Sequence, residues 1–187
     1  KIAEKVSYRH KKPSLVSRFQ RFVKSSWVNV EAYYVPLANE ILQAVEPGPI
    51  VLMIDSTKMG GRCICLMVSV YYKKRALPLA WLCFKGKKGH STQAVQIELL
   101  KQVKTLLPDD TLVVLVGDGE FDGADLLNWL KEETDWQFVC RTNPTTLVHY
   151  QDRWMSLTEI VAELELAPGE RKTVHLTVSA QSLQHYD

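Results

Sequence analysis

Two uninterrupted apolar runs, Ile50-Val-Leu-Met-Ile54 and Leu112-Val-Val-Leu-Val116, most constrain what this chain can fold into. Runs this short, apolar at every position and rich in β-branched residues read as strands buried on both faces. The first follows the linker signal Glu46-Pro47-Gly48-Pro49 directly. Each run leads into an aspartate: the first into Asp55, the second through Gly117 into Asp118.

The intervening residues set the rest of the order. Residues 62–72 and 75–84 are β-rich and separated by the charged turn Lys73-Lys74, so three strands follow one another as a meander. A helix is expected over about 92–107, with Val95, Leu99, Val103 and Leu107 at spacing four, Ser91 as its N-cap and Pro108 ending it. A helix near 123–134 and a strand near 136–141 complete a β-β-β-α-β-α-β succession. That succession, a meander followed by crossover units, is the order of a ribonuclease-H-like α/β domain, a mixed sheet with flanking helices over 48–142. Ahead of it, 1–46 is a small helical segment. Leu15, Val16, Phe19, Phe22 and Val23 share one face of a helix over 13–24, and a second helix runs from a cap at Asn29 to about Leu42. Behind it, 143–187 reads as the start of a β-containing insertion, with a capping box at Ser156-Leu-Thr-Glu159 and alternation over 172–180. Lys1 in place of Met, and no stop signal after Asp187, read as a part of a longer protein.

The formal net charge of +2 hides a segregation. In the first 24 residues eight cations, Arg18, Arg21 and Lys24 among them, face a single acid, Glu4. A second basic stretch gathers Lys73, Lys74, Arg75, Lys85, Lys87 and Lys88, whereas 109–135 is acidic. Either basic stretch is a solvated face or a footprint for a polyanion. No run of ~18 apolar residues is present to span a membrane. Cys63, Cys65, Cys83 and Cys140 have no Cys-x-x-Cys spacing and read as buried free thiols.

The two strand-end aspartates carry the chemistry. On neighbouring parallel strands, ~4.8 Å apart, they would emerge at one edge. Two carboxylates there suit Mg²⁺, which binds through one or two carboxylates plus substrate phosphate. The alternative is that each Asp caps the turn that follows it. The set Asp55-Ser56-Thr57, the basic loop 85–90, Gly117-Asp118-Gly119-Glu120-Phe121 and Phe138-Val-Cys-Arg141 resembles DDE DNA transposases of the insertion-sequence "IS-four" group over about 50–142.

The resemblance implies strand cleavage and strand transfer at transposon ends, with Asp55 and Asp118 as two of three metal-binding acids and Mg²⁺ or Mn²⁺ as cofactor. It implies double-stranded DNA as partner, a homodimer in the intact protein, no membrane, and a cytoplasmic, nucleoid-associated location. Arg18, Arg21, Lys24, Lys85, Lys87, Lys88 and Arg141 are the candidate DNA contacts, Arg141 equally a partner for one of the acids. The family's third acid is a Glu, often in Tyr-x-x-Arg-x-x-x-Glu on a helix; Tyr150-Gln-Asp-Arg153 starts that pattern but Leu157 stands where Glu is required. Glu159 is the nearest substitute, with its capping box as the simpler role, so the third ligand is expected beyond Asp187 and the piece alone is expected to be inactive. A non-catalytic DNA-binding remnant and a nuclease of the same fold are the rival readings. The calcium-loop echo at Asp118-x-Glu120-x-Asp122 fails at Trp129, and Gly86-Lys-Lys-Gly89 lacks the order of a phosphate loop.

Overall fold

The run from Ile50 builds the central strand of a five-stranded sheet, β1 (Ile50–Gly60). A computed structural model describes residues 12–45, 48–86, 91–167, 169–174 and 176. The readings made of the cations before Lys12, of Lys87 and Lys88, and of most of 175–187 lie outside the described residues.

β1 pairs antiparallel with β2 (Cys63–Tyr72), and β2 with β3 (Arg75–Lys85), which completes the expected meander. The chain then crosses through α4 (Gln93–Lys104) to β4 (Val113–Gly117), which lies parallel to β1 on its other side. A 3₁₀ turn at Gly119–Phe121 and α5 (Ala124–Glu133) lead to β5 (Gln137–Cys140), parallel to β4. The order is β3-β2-β1-β4-β5, a mixed α/β sheet with flanking helices.

Side chains alternate across a strand, and one face of the sheet takes most of the core. Ile50, Leu52 and Ile54 of β1, Leu66, Val68 and Val70 of β2, and Val113 and Leu115 of β4 are buried with Leu99, Leu100 and Val103 of α4 and Leu126 and Leu130 of α5. The apolar runs are not buried on both faces, as expected, because Val51 and Val114 are half-buried and Met53 is exposed. Nor does β1 end at Asp55: it runs five residues further, held by β2 alone once the pairing with β4 has stopped at Met53.

Ahead of the sheet lie α1 (Lys12–Lys24), α2 (Val30–Tyr33) and α3 (Val35–Val45). The single second helix expected from Asn29 is interrupted at Tyr34. Pro36 has no N–H to donate to the previous turn, so a new helix starts where that lack is harmless. Asn29 does cap α2, accepting from the N–H of Ala32 at 2.7 Å. Tyr34 anchors this segment to β3: its hydroxyl donates to the Pro78 carbonyl at 2.7 Å and its ring meets Trp81 edge-on at 4.6 Å. The apolar stripe of α1 is not packed on a core. Only Leu15 is buried, and Phe22 and Val23 are 54% and 77% exposed.

After β5, β6 (Leu147–Tyr150) and β7 (Arg153–Ser156) form a separate two-stranded hairpin, followed by α6 (Leu157–Glu163). Tyr150 and Arg153 pair across its tip, so the Tyr-x-x-Arg pattern sits on a turn and not on a helix. Residues 170–174 and 176 form no strand, against the alternation read there.

Candidate functional site

β1, β4 and β5 all point the same way, and β3, antiparallel to β2, points with them. The carboxyl ends of the parallel strands are where an open α/β sheet offers a crevice, at the place where the chain leaves neighbouring strands toward opposite sides. Here that place lies between β1, which continues to β2, and β4, which continues toward β5.

The register sets what meets there. Val51 and Met53 pair with Val114 and Val116 on β4, and these with Gln137 and Val139 on β5. Counted two residues on from Met53, Val116 and Val139, Asp55, Asp118 and Arg141 fall at matching positions on the less covered face, beyond the last pairs of β1 with β4 and of β4 with β5. All three are exposed. The backbone of Asp118 is still extended, at φ −88° and ψ −169°, and the Arg141 N–H donates to the Gly117 carbonyl at 3.3 Å, which keeps the row in line past the last strand pair.

Each aspartate commits one oxygen to the chain that follows. Asp55 Oδ1 accepts the Ser56 N–H at 2.7 Å, and Asp118 Oδ1 accepts the Glu120 N–H at 3.0 Å. The capping role weighed against a metal role is therefore real at Asp118, which caps the 3₁₀ turn. It leaves the second oxygen of each carboxylate without a hydrogen bond from a described residue. Two such oxygens on adjacent strands fit a hard cation, although no three His, Cys, Asp or Glu side chains among the described residues form a cage for one. Arg141 pairs with neither acid among the described residues, which removes one of its two expected roles.

Asp122 completes the acidic edge. Burial pushes its carboxyl above the ordinary carboxylate value, and nearby Asp118 adds to the rise against the lowering N–H groups of Asp122 and Asn143. Glu159 is remote in role: its Oε2 accepts the Ser156 N–H at 2.7 Å and hydroxyl at 2.8 Å, forming the capping box of α6. The Ser156 backbone and then its hydroxyl hold its carboxyl below the ordinary value of 4.5.

Sequence reasoning missed Glu120 and its partners. Glu120 Oε2 accepts the Ser56 hydroxyl at 2.7 Å, and its Oε1 accepts both the Ser91 N–H, at 3.0 Å, and the Ser91 hydroxyl. Gln96, 1% exposed, donates to the Ser91 carbonyl and hydroxyl and to the Glu120 carbonyl. Ser91 is thus not the N-cap of α4; Thr92 holds that position. A Gln on the buried stripe of a helix was the available signal.

No protein-family model matches this chain, and no curated protein matches it. What it can do is therefore argued from the residues in place. The basic loop leaves β3 at exposed Lys85 and returns at Ser91, at the same end of the sheet as the aspartate pair. Arg18, Arg21 and Lys24 are exposed on α1, which packs on no strand by more than marginal contact, so the structure does not bring them to the strand ends. Arg18 and Arg21 instead flank an open groove of about 710 Å³ lined by Phe19, Phe22, Trp27 and Tyr33. Among the described residues no helix is long and apolar enough to cross a membrane.

Proposed function

We propose that this chain carries part of the catalytic core of a DDE-type DNA transposase, in which Asp55 and Asp118 are two of the metal-binding acids. The observation that carries the reading is the parallel pairing of β1 with β4, whose register, continued two residues past Met53 and Val116, would bring Asp55 and Asp118 to one face. The β-β-β-α-β-α-β order, with a meander flanked by two parallel strands, supports a ribonuclease-H-like domain over 48–142.

Asp55 and Asp118 would hold Mg²⁺, or Mn²⁺ in its place, which when bound polarises a phosphoryl oxygen and lowers the pKa of water. The chain's own residues position the nucleic acid. Arg141, beside Asp118 in the row and unpaired with either acid, suits a phosphate oxygen with its planar fork of donors. Lys85 adds a cation at the same end of the sheet, and Arg18, Arg21 and Lys24 add a second patch among exposed aromatic rings. Exposed Met53 and Val139 leave an apolar flank beside the pair, a surface suited to a further element bearing the third acid.

Paramagnetic Mn²⁺ tests the reading directly. Added to the labelled protein, it is expected to broaden backbone signals around Asp55 and Asp118 first, and Asp118→Asn is expected to abolish that selectivity. Broadening spread over the acidic surface, with no preference for these two residues, would overturn it.

A further inference from the structure

We propose that Glu120 is the positioning residue of this site, a carboxylate that ties together the two aspartate-bearing segments and the foot of the basic loop without itself holding the metal. The inference rests on the metal-site reading above.

Three segments must keep their places for the row to work: β1 at Asp55, the turn after Asp118, and the loop returning at Ser91. Each meets Glu120 one or two residues from the atom that matters. Ser56, next to Asp55, donates its hydroxyl to Oε2. Glu120 itself follows Asp118 by two residues, and its N–H is the donor that orients the Asp118 carboxylate. Ser91 donates both its N–H and its hydroxyl to Oε1.

Alternation puts Ser56 on the covered face, 1% exposed, while Asp55 is on the other. The Glu120 carboxylate therefore passes under the sheet, where it accepts from the Ser56 hydroxyl and from the Ser91 N–H and hydroxyl. Both of its oxygens are engaged, which leaves it poorly placed to bind a cation. Phe121, fully buried against Gly117, and Gln96, which donates to the Glu120 carbonyl, hold the turn from which the side chain departs. A half-buried carboxylate that accepts from two segments while departing from a third ties the three together, and releasing it would leave the buried Ser56 hydroxyl without that partner.

The test compares Glu120→Ala, Glu120→Gln and Asp118→Asn by two readouts. Native-state amide exchange at Ser91 reports the tie itself, without metal. It is expected to speed up about tenfold or more in Glu120→Ala, the size of a lost hydrogen bond to a charged acceptor, and much less in Glu120→Gln, which keeps an acceptor for that N–H. Mn²⁺ affinity is expected to fall severalfold in Glu120→Ala, to recover largely in Glu120→Gln, and to be lost in Asp118→Asn. Unchanged exchange and affinity in Glu120→Ala would overturn the proposal. Loss of Mn²⁺ in Glu120→Gln with exchange intact would also overturn it, by making Glu120 a ligand. Wild-type protein that binds no Mn²⁺ at this edge would sink the metal-site reading and the positioning role with it, while the exchange result would still decide whether Glu120 ties the segments.

Discussion

Gly117 links β4 to Asp118, and the space for its side chain is already filled. A Cβ there would lie 3.0 Å from Phe121 Cβ and 3.2 Å from Ile54 Cγ2, so Phe121 can close under the turn only because position 117 is bare. Gly117→Ala is expected to lower stability by about 1–3 kcal/mol, the usual penalty for overpacking a close-fitted site, as measured by urea unfolding. An unchanged midpoint would mean that Phe121 is loosely held. The thiols differ just as sharply. Cys65 is buried on β2 and pairs in register with Cys83 on β3, which is exposed, contrary to the expectation that all four cysteines are buried. Burial, then the neighbouring Cys83 thiol, push Cys65 up to about 11, so at about pH 8 roughly one molecule in a thousand carries its thiolate. Iodoacetamide should therefore modify Cys83 while sparing Cys65 until the protein unfolds, and mass spectrometry of the digested adducts reads the order. Equal labelling of the two in the native state would contradict the burial of β2.

Elements that depend on hydrophobic period were legible in the sequence, and those that depend on backbone conformation were not. β2, β3, β4, β5 and both crossover helices come within a few residues of their expected bounds, because apolar spacing and the Pro and Gly breaks report them directly, whereas β1 starts as expected but runs on to Gly60. The hairpin of β6 and β7 was missed because its turn, Gln151-Asp152, has neither Gly nor Asn, yet both residues adopt positive φ, 47° and 62°. The same mirror-image geometry recurs at Lys73-Lys74, with φ of 46° and 64°. Left-handed backbone costs most side chains about 1 kcal/mol each, so the double change Lys73→Asn with Lys74→Gly is expected to stabilise the protein by about 1 kcal/mol. A fall in the thermal midpoint would show that the contact of the Lys73 ammonium with the Tyr72 ring, at 4.9 Å, outweighs the relief. The capping box on α6 was legible, and it carries its own pH dependence. The Glu159 carboxyl is depressed below its unfolded value, so its contribution is present above about 4.5 and is lost as pH falls through the folded value. An NMR titration should show the Ser156 amide signal moving in that acid range, and a Ser156 signal insensitive to it would deny the cap. The placing of the two aspartates was half legible: the apolar runs announce Asp55 and Asp118, but only the sheet order puts β4 beside β1.

For the whole molecule, the proposed function implies two kinds of binding surface, and they should respond differently to salt and to metal. The exposed cations of α1 stand among aromatic side chains, away from the sheet's packed face, and their attraction for phosphates is counterion release, which has no need of a metal. Affinity for duplex DNA should then fall steeply with salt. Replacing Arg18, Arg21 and Lys24 with Ala should reduce the log–log slope by about 2–3 if each neutralises a phosphate. On the proposed reading the strand-end site would behave otherwise, since two carboxylates with no third acid grouped beside them among the described residues would hold one metal loosely and leave a second without its ligands. The 187-residue chain is therefore expected to bind supercoiled DNA yet fail to nick it with Mg²⁺ or Mn²⁺. Nicking that disappears in Asp118→Ala would show that an acid within these residues, such as Asp122 close to Asp118, already completes the site. Nicking indifferent to Asp118 would remove the aspartate pair from the chemistry altogether, leaving the register of β1 and β4 as a feature of the fold alone.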